Sequence, residues 1–402
     1  MKSKTILAVA DIHMSNKLPH ARLAVTTEGE TGITDRLYDQ RKLWAGIYQV
    51  AEKDKVDAIF VLGDLFDKAN VDPITFTETL ACLAYAPCPI YIMAGNHDAA
   101  TAAGERYVVE AFRYTGHERL QYVEGRLYPS WGDGWLRFHC IPYGPADKVM
   151  QKIRSTQDTI VRAPPGVDVL MLHHSIVGCR HLGWTCDQGL DQEVICEGFD
   201  QVLAGHFHEQ QTFGPDGVGM YLGAPMHHNF GDAGRAAHIH TFKYDWDEKA
   251  NTLEIGHTET DLNLPKFHVW DANLSPPMSE TVMLPDPLEM VRSGMGHGDY
   301  CRITVRCSRE LWASGPQEML GKLCEELEEK WGVHASIQFK PISVYKKRIV
   351  EVASVKDAVD IPSVIKAYAK GWEGDSKDLP AVVGVGLNIW SEVEHVRRAE
   401  GK

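Results

Sequence analysis

Residues 58–67 read Ala58-Ile59-Phe60-Val61-Leu62-Gly63-Asp64-Leu65-Phe66-Asp67. A short apolar run that stops at a glycine predicts a strand buried on both faces. The residues just beyond it can hold a metal. The same arrangement recurs along the chain. An apolar run over 5–10 precedes Asp11-Ile12-His13, and one over 89–94 precedes Gly95-Asn96-His97-Asp98. The run over 167–172 ends in His173-His174, and the run over 201–204 ends in Gly205-His206-Phe207-His208. In layered α/β folds, ligands collect beyond the carboxyl ends of strands. The pattern predicts one site built by five loops along one sheet edge.

Between these runs the pattern is helical. Leu37, Trp44, Ile47, Tyr48 and Ala51 fall near a 3.6-residue period over 36–54. Pro73 sits well at the first turn of a helix running to about residue 84. Two further strands are expected over 218–224 and 236–244, joined by a Gly- and His-rich loop. The stretch 16–35, between the first motif and its helix, is long and reads as a substrate loop or a partner surface.

The composition changes after residue 262. Asn263-Leu264-Pro265 and the Pro-rich stretch 276–287 read as a linker or extended crossing. A strand over 300–305, a helix over 316–331 with Met319, Leu320, Leu323, Leu327 and Trp331, and a strand over 333–339 follow, making a β-α-β module. The division is therefore 1–262, 263–345 and 346–402, the last with one helix over 361–372. The fold class is α/β.

The chain has 402 residues, 44% hydrophobic and 24% charged, which is ordinary for a globular protein and not for a disordered one. No apolar run approaches the roughly 20 residues needed to span a bilayer, so no membrane role is expected. A net charge of −14 argues against coating nucleic acid wholesale, though not against a local nucleic-acid site. The nine cysteines include no C-x-x-C pair, which removes zinc-ribbon and thioredoxin-type readings. Reduced thiols in a cytoplasm are the default.

Taken singly, each motif suits an ordinary turn. Together they supply mixed nitrogen and oxygen donors: Asp11, His13, Asp64, Asn96, His173, His206 and His208. Seven ligands with one shared carboxylate suit two divalent ions. Asp64 bridges, Asp11, His13 and His208 complete one ion, and Asn96, His173 and His206 complete the other. Carboxylate with imidazole favours Mn2+, Fe2+ or Zn2+ over Mg2+ or Ca2+, and the absence of Cys argues against a closed structural zinc site. A pair of such ions can grip a phosphate and activate a water. His97, next to a ligand, is placed to protonate a leaving oxygen as a general acid.

These motifs resemble those of the calcineurin-like metallophosphoesterase superfamily. Within it they are most similar to SbcD-type DNA double-strand-break repair nucleases of the bacterial or phage branch. Gly63-Asp64-Leu65-Phe66-Asp67 resembles that group's GDxFD, the third motif is GNHD and not GNHE, and Tyr221-Leu222-Gly223-Ala224-Pro225 resembles its Y-x-G-S-P turn, with Ala224 in place of Ser. The following β-α-β module matches a capping domain in order. The resemblance implies a four-layer α-β-β-α sandwich with a smaller α+β capping domain. It implies two divalent ions, Mn2+ foremost, on the seven residues above, with His97 catalytic. Of the adjacent pair it selects His173, leaving His174 as a neighbour. Where eukaryotic and archaeal relatives carry a second active-site His, this chain has Asp67.

The resemblance further implies DNA as substrate, an SbcC-type coiled-coil ATPase as partner, and a homodimer. The docking element for the ATPase would be the 361–372 helix, with Ile361, Val364, Ile365, Tyr368 and Trp372 in an apolar stripe. Helices over 73–86 and 104–115 are candidate dimer surfaces. The implied activity is metal-dependent exo- or endonucleolytic hydrolysis of phosphodiester bonds at DNA ends or hairpins. The competing readings are a phosphatase or cyclic-nucleotide phosphodiesterase of the same fold, and a non-catalytic DNA- or ATPase-binding scaffold. Tyr345-Lys346-Lys347-Arg348 and Arg397-Arg398 are the densest basic clusters. His227, His228, His238 and His240 read as neighbours of the site or as structural residues.

Overall fold

A computed structural model describes residues 1–341, except 27–28, 102–103, 128, 130–133, 182, 274–286, 308 and 314–315. The 361–372 helix, both basic clusters and nearly all of the Pro-rich stretch lie outside the described residues.

Two six-stranded sheets carry the fold. The first runs in the order Thr252–Thr260, Ile239–Asp247, Lys2–Val9, Ala58–Leu62, Ile90–Met93, Leu120–Tyr122. Its last four strands are parallel and the first two antiparallel. The second runs Gln211–Phe213, Gly219–Tyr221, Gln201–Gly205, Val167–His173, Leu136–Ile141, Gly125–Leu127, with its four inner strands parallel.

The apolar strands are buried on both faces, and alternation along each strand divides its side chains between layers. Ile6, Ala8, Phe60, Leu62, Tyr91 and Met93 turn inward to meet Phe138, Val169, Met171 and Leu203 of the second sheet. Leu7, Val9, Ile59, Val61, Ile90 and Ile92 turn outward, under the helices Asp35–Lys53 and Pro73–Ala84. On the far side, Leu170, Leu172, Val202 and Ala204 pack with Val149 and Ile153 of the helix Ala146–Ile160 and with Ile195. The result is a four-layer α-β-β-α sandwich.

Local chemistry explains the helix starts. Thr34 caps Asp35–Lys53 by accepting from the Leu37 amide, and Asp72 accepts from the Ile74 and Thr75 amides ahead of Pro73. Inside the 16–35 stretch, Leu23–Thr26 and Gly29–Thr34 form a two-stranded antiparallel hairpin. Over 104–115 the expected helix is a short 3-10 helix, Val108–Tyr114, because Gly104 at φ +60° and Gly116 at φ +65° punctuate both ends.

A third sheet has three parallel strands, Phe267–Asn273, Tyr300–Cys307 and His334–Pro341, with helix Pro316–Trp331 between the last two. The strand Phe267–Asn273 extends the expected β-α-β unit. Residues 1–342 form one compact unit. No helix among the described residues is long and apolar enough to cross a membrane.

A buried ionic network ties two strands of the second sheet. Arg137 donates through Nε to Asp168 Oδ1 at 2.7 Å and through Nη2 to Oδ2, and His139 Nε2 lies 2.7 Å from Oδ1. Burial alone would raise the Asp168 carboxyl, but the Arg137 and His139 contacts hold it down at about 2. Removing the carboxylate leaves Arg137 buried without its counter-charge. Asp168→Ala is expected to cost about 3–5 kcal/mol, read from the shift in the denaturant midpoint. A loss below about 1 kcal/mol would contradict this account.

Candidate metal centre

The strands of the two sheets converge at their carboxyl ends. Gly205 comes so close to the first sheet that a Cβ there would lie 2.4 Å from the Leu62 carbonyl oxygen, and one on Gly63 would lie 2.3 Å from His173 Nδ1. The five loops thus meet at a seam between two sheets. The expected single sheet edge is corrected: Asp11, Asp64 and Asn96 follow strands of the first sheet, and His173 and His206 follow or end strands of the second.

All seven expected ligands are brought together there. Asp11, His13 and His208 form one group of donor atoms, and Asp64, His173 and His206 another, each within 4.8 Å. Asn96 Oδ1 joins the second group, 3.0 Å from His173 Nε2 and 2.8 Å from His206 Nδ1. Asp64 Oδ2 lies 3.2 Å from His173 Nε2 and 3.8 Å from His13 Nε2, so one oxygen faces both groups. The other, Oδ1, accepts the His97 amide at 2.8 Å.

Hydrogen bonds on the far side of each ring decide which nitrogen is offered. A carbonyl only accepts, so His173 Nδ1 must donate to Leu62 O at 2.8 Å, which turns the lone pair of Nε2 inward. His208 Nδ1 meets Asp232 Oδ1 at 3.1 Å, freeing Nε2, and His206 Nε2 meets Ser175 Oγ at 3.0 Å, freeing Nδ1. His13 Nε2 and His208 Nε2 then face each other at 3.2 Å. Converging lone pairs and buried carboxylates are the donor set of a cation site, and they fit a pair of divalent ions.

The backbone is strained where the ligands sit. Asp11 (φ 54°), His13 (φ 52°), Asp64 (φ 52°) and His206 (φ 102°) all have positive φ without being glycine. Two residues without an assigned role in the sequence reading hold the loops. Asp98, fully buried, accepts from the amides of Gly95 and Phe66 at 2.9 and 3.0 Å and so fastens the third loop to the second. Asp232 orients His208 and accepts the His228 amide at 2.9 Å, while His228 Nε2 donates to the Asp11 carbonyl at 2.8 Å. Nothing in the sequence marks Asp232. Ser175 offered only its place two residues beyond His173.

His97 is exposed at the seam and contacts the edge of His13 with 4.6 Å between ring centroids. Its Nδ1 donates to the Asp67 carbonyl at 2.6 Å, which leaves Nε2 outside that bond. His13, Asp67 and His97 also converge as a group. His174 is turned away, its ring nitrogens 3.1 Å from the carbonyls of Ser175 and Gly144.

Burial alone would lower His173, yet the Asp64 and Asp11 carboxylates outweigh it and push the imidazole up to about 9. A ligand imidazole must be deprotonated. Divalent-ion affinity is therefore expected to fall about tenfold per pH unit below that value while this proton competes, measured by Mn2+ titration between about pH 6.5 and 8.5. A flat profile would overturn the assignment. Gly95 gives a second test. A Cβ there would lie 2.1 Å from Asp64 Oδ1. Gly95→Ala is expected to abolish stoichiometric metal binding with the circular dichroism of the sandwich retained.

No curated protein matches the chain. Solved structures similar to it include a protein of Thermus thermophilus, at 13% identity over 63% of this chain and 99% of that one, TM-score 0.36. A dimetal phosphatase from Danio rerio is similar at 10% identity over 60% and 92%, TM-score 0.39. The calcineurin-like phosphoesterase YfkN from Bacillus subtilis is similar at 12% identity over 65% and 91%, TM-score 0.36. The family model for calcineurin-like phosphoesterases matches residues 4–210, a span that begins in the first strand and ends just past His208. With more than half of its length in that match, and every loop of the seam but the one bearing Asp232 inside it, the chain belongs to the calcineurin-like phosphoesterase family.

Proposed function

We propose that this metal-dependent phosphoester hydrolase is a DNA nuclease, acting on phosphodiester bonds at duplex ends or hairpins in DNA repair and recombination. In this reading Asp11, His13 and His208 would hold one divalent ion and Asn96, His173 and His206 the other, with Asp64 serving both groups. When bound, the two ions supply Lewis acidity to the phosphodiester and to the attacking water. The chain does the rest. His97, held through Nδ1 by the Asp67 carbonyl, presents Nε2 to protonate the leaving oxygen. Asp98 keeps the second and third loops in register, and Asp232, meeting Nδ1 of His208, keeps its Nε2 turned toward the other donors.

The observation that carries the choice of substrate is the attachment of the third sheet to the loop behind the ligands. The Phe267 amide donates to His227 Nδ1 at 3.0 Å, and the adjacent His228 donates to the Asp11 carbonyl at 2.8 Å. Tyr300 of the same sheet donates to Asp35 at 2.9 Å. A second module joined to the metal loop suits a substrate larger than a small phosphate ester, and the GDLFD and GNHD motifs point the same way. In this reading residues 263–345 are a capping domain, and 346–402 include a helix that docks an SbcC-type coiled-coil ATPase. The protein works as a cytoplasmic homodimer with Mn2+.

With Mn2+ present, the purified protein is expected to cleave duplex DNA ends, and His97→Asn to lower that rate by about 10²–10⁴-fold without changing metal content. Full DNA cleavage by His97→Asn would assign the activity to a contaminant. Hydrolysis of p-nitrophenyl phosphate without any DNA cleavage would replace the nuclease reading by a phosphatase.

A further inference from the structure

Among the described residues, a second group of metal-capable side chains lies outside the ligand loops. His240 stands on the strand Ile239–Asp247, and His257 and Glu259 stand on its antiparallel neighbour Thr252–Thr260. The register pairs His240 with Glu259 and Phe242 with His257. Directly paired residues and those two positions along share a face, so all three continue the inner face of the sheet beyond Phe242. Their donor atoms lie within 4.8 Å of one another.

The ring of His240 is fully buried and its orientation is set. Nε2 donates to the Leu222 carbonyl at 2.8 Å, which leaves the Nδ1 lone pair facing His257 Nε2 at 3.0 Å. Two imidazole nitrogens on one tetrahedral Zn2+ lie roughly 3.3 Å apart, so a few tenths of an ångström of opening by the exposed His257 admits the ion. Burial pushes His240 down to about 4, so it is neutral and ligand-competent at pH 7. Glu259 is anchored, with Oε1 accepting from Gln210 Nε2 and Oε2 lying 3.3 Å from His238 Nδ1.

We propose that His240, His257 and Glu259 form a third metal site, selective for an imidazole-preferring ion of the Zn2+ class. The mixed imidazole and carboxylate set, without thiolate, suits Zn2+ better than Mg2+ or Ca2+. The ion would fasten the outermost strand of the first sheet to its neighbour, and His240 would carry that tie to the second sheet at Leu222. The site is independent of which phosphoester the main centre hydrolyses.

The test is Zn2+ content of the full chain after equilibrium dialysis. Wild type is expected to hold one equivalent more than the double variant His257→Ala, Glu259→Gln, whatever the occupancy of the main centre, because only the difference is read. Both substituted side chains are exposed, so the fold is retained. The single variant Glu259→Gln is expected to weaken the extra equivalent at least tenfold while Mn2+ content is unchanged. Equal Zn2+ content in wild type and double variant would overturn the site and leave a plain His–His hydrogen bond.

Discussion

The hydrogen bond from His173 Nδ1 to the Leu62 carbonyl, 2.8 Å long, crosses the seam between the two sheets, and the centre depends on it. It consumes the proton that would otherwise block one nitrogen, so Nε2 is committed to Asn96 and Asp64. It also requires that two strand ends from different sheets approach closely. Gly63 and Gly205 permit that approach, since a Cβ at either would occupy the space of the ring or the carbonyl. The two glycines are there for proximity first, and Gly63 also for its φ of +88°.

Such a seam is costly to hold. Four ligand or bridging positions sit at positive φ, each at about 1 kcal/mol or more, and two buried carboxylates face each other across the same space. The opposing force is the packed layer between the sheets, where Phe60, Phe138, Met171 and Phe242 are buried. Asp98 and Asp232 add local restraint by accepting several amides each. The pull of Asp64 and Asp11 on His173, and of His173 on Asp64, shows how far the charge balance of the donor set leans toward a cation.

The third sheet is joined to this arrangement through Arg36. Its guanidinium is buried, lies 5.1 and 5.2 Å from the ring centres of Phe267 and Tyr300, and donates to the His227 carbonyl. Arg36 lies in the first turn of the helix Asp35–Lys53. A displacement of the small sheet therefore bears on the loop carrying His228 and Asp232, and through them on Asp11 and His208.

Much of this was legible in the residues themselves. Each ligand follows an apolar run, because a buried strand leaves its first polar residues at its carboxyl end, and that is a local property of the chain. The helices at Asp35–Lys53, Pro73–Ala84 and Pro316–Trp331 were legible for the same reason, through apolar period and, at Pro73, a first-turn proline. The strands Leu136–Ile141, Thr252–Thr260 and Phe267–Asn273 were not, since their residues signal a strand only once a neighbour pairs with them. The sequence by itself determined which residue types stand at the strand ends, and hence the donor chemistry. Only the tertiary structure decided that the donors meet at a seam between two sheets, that one oxygen of Asp64 faces both groups, and that Asp232 and Ser175 orient the rings, because those are relations between atoms far apart along the chain.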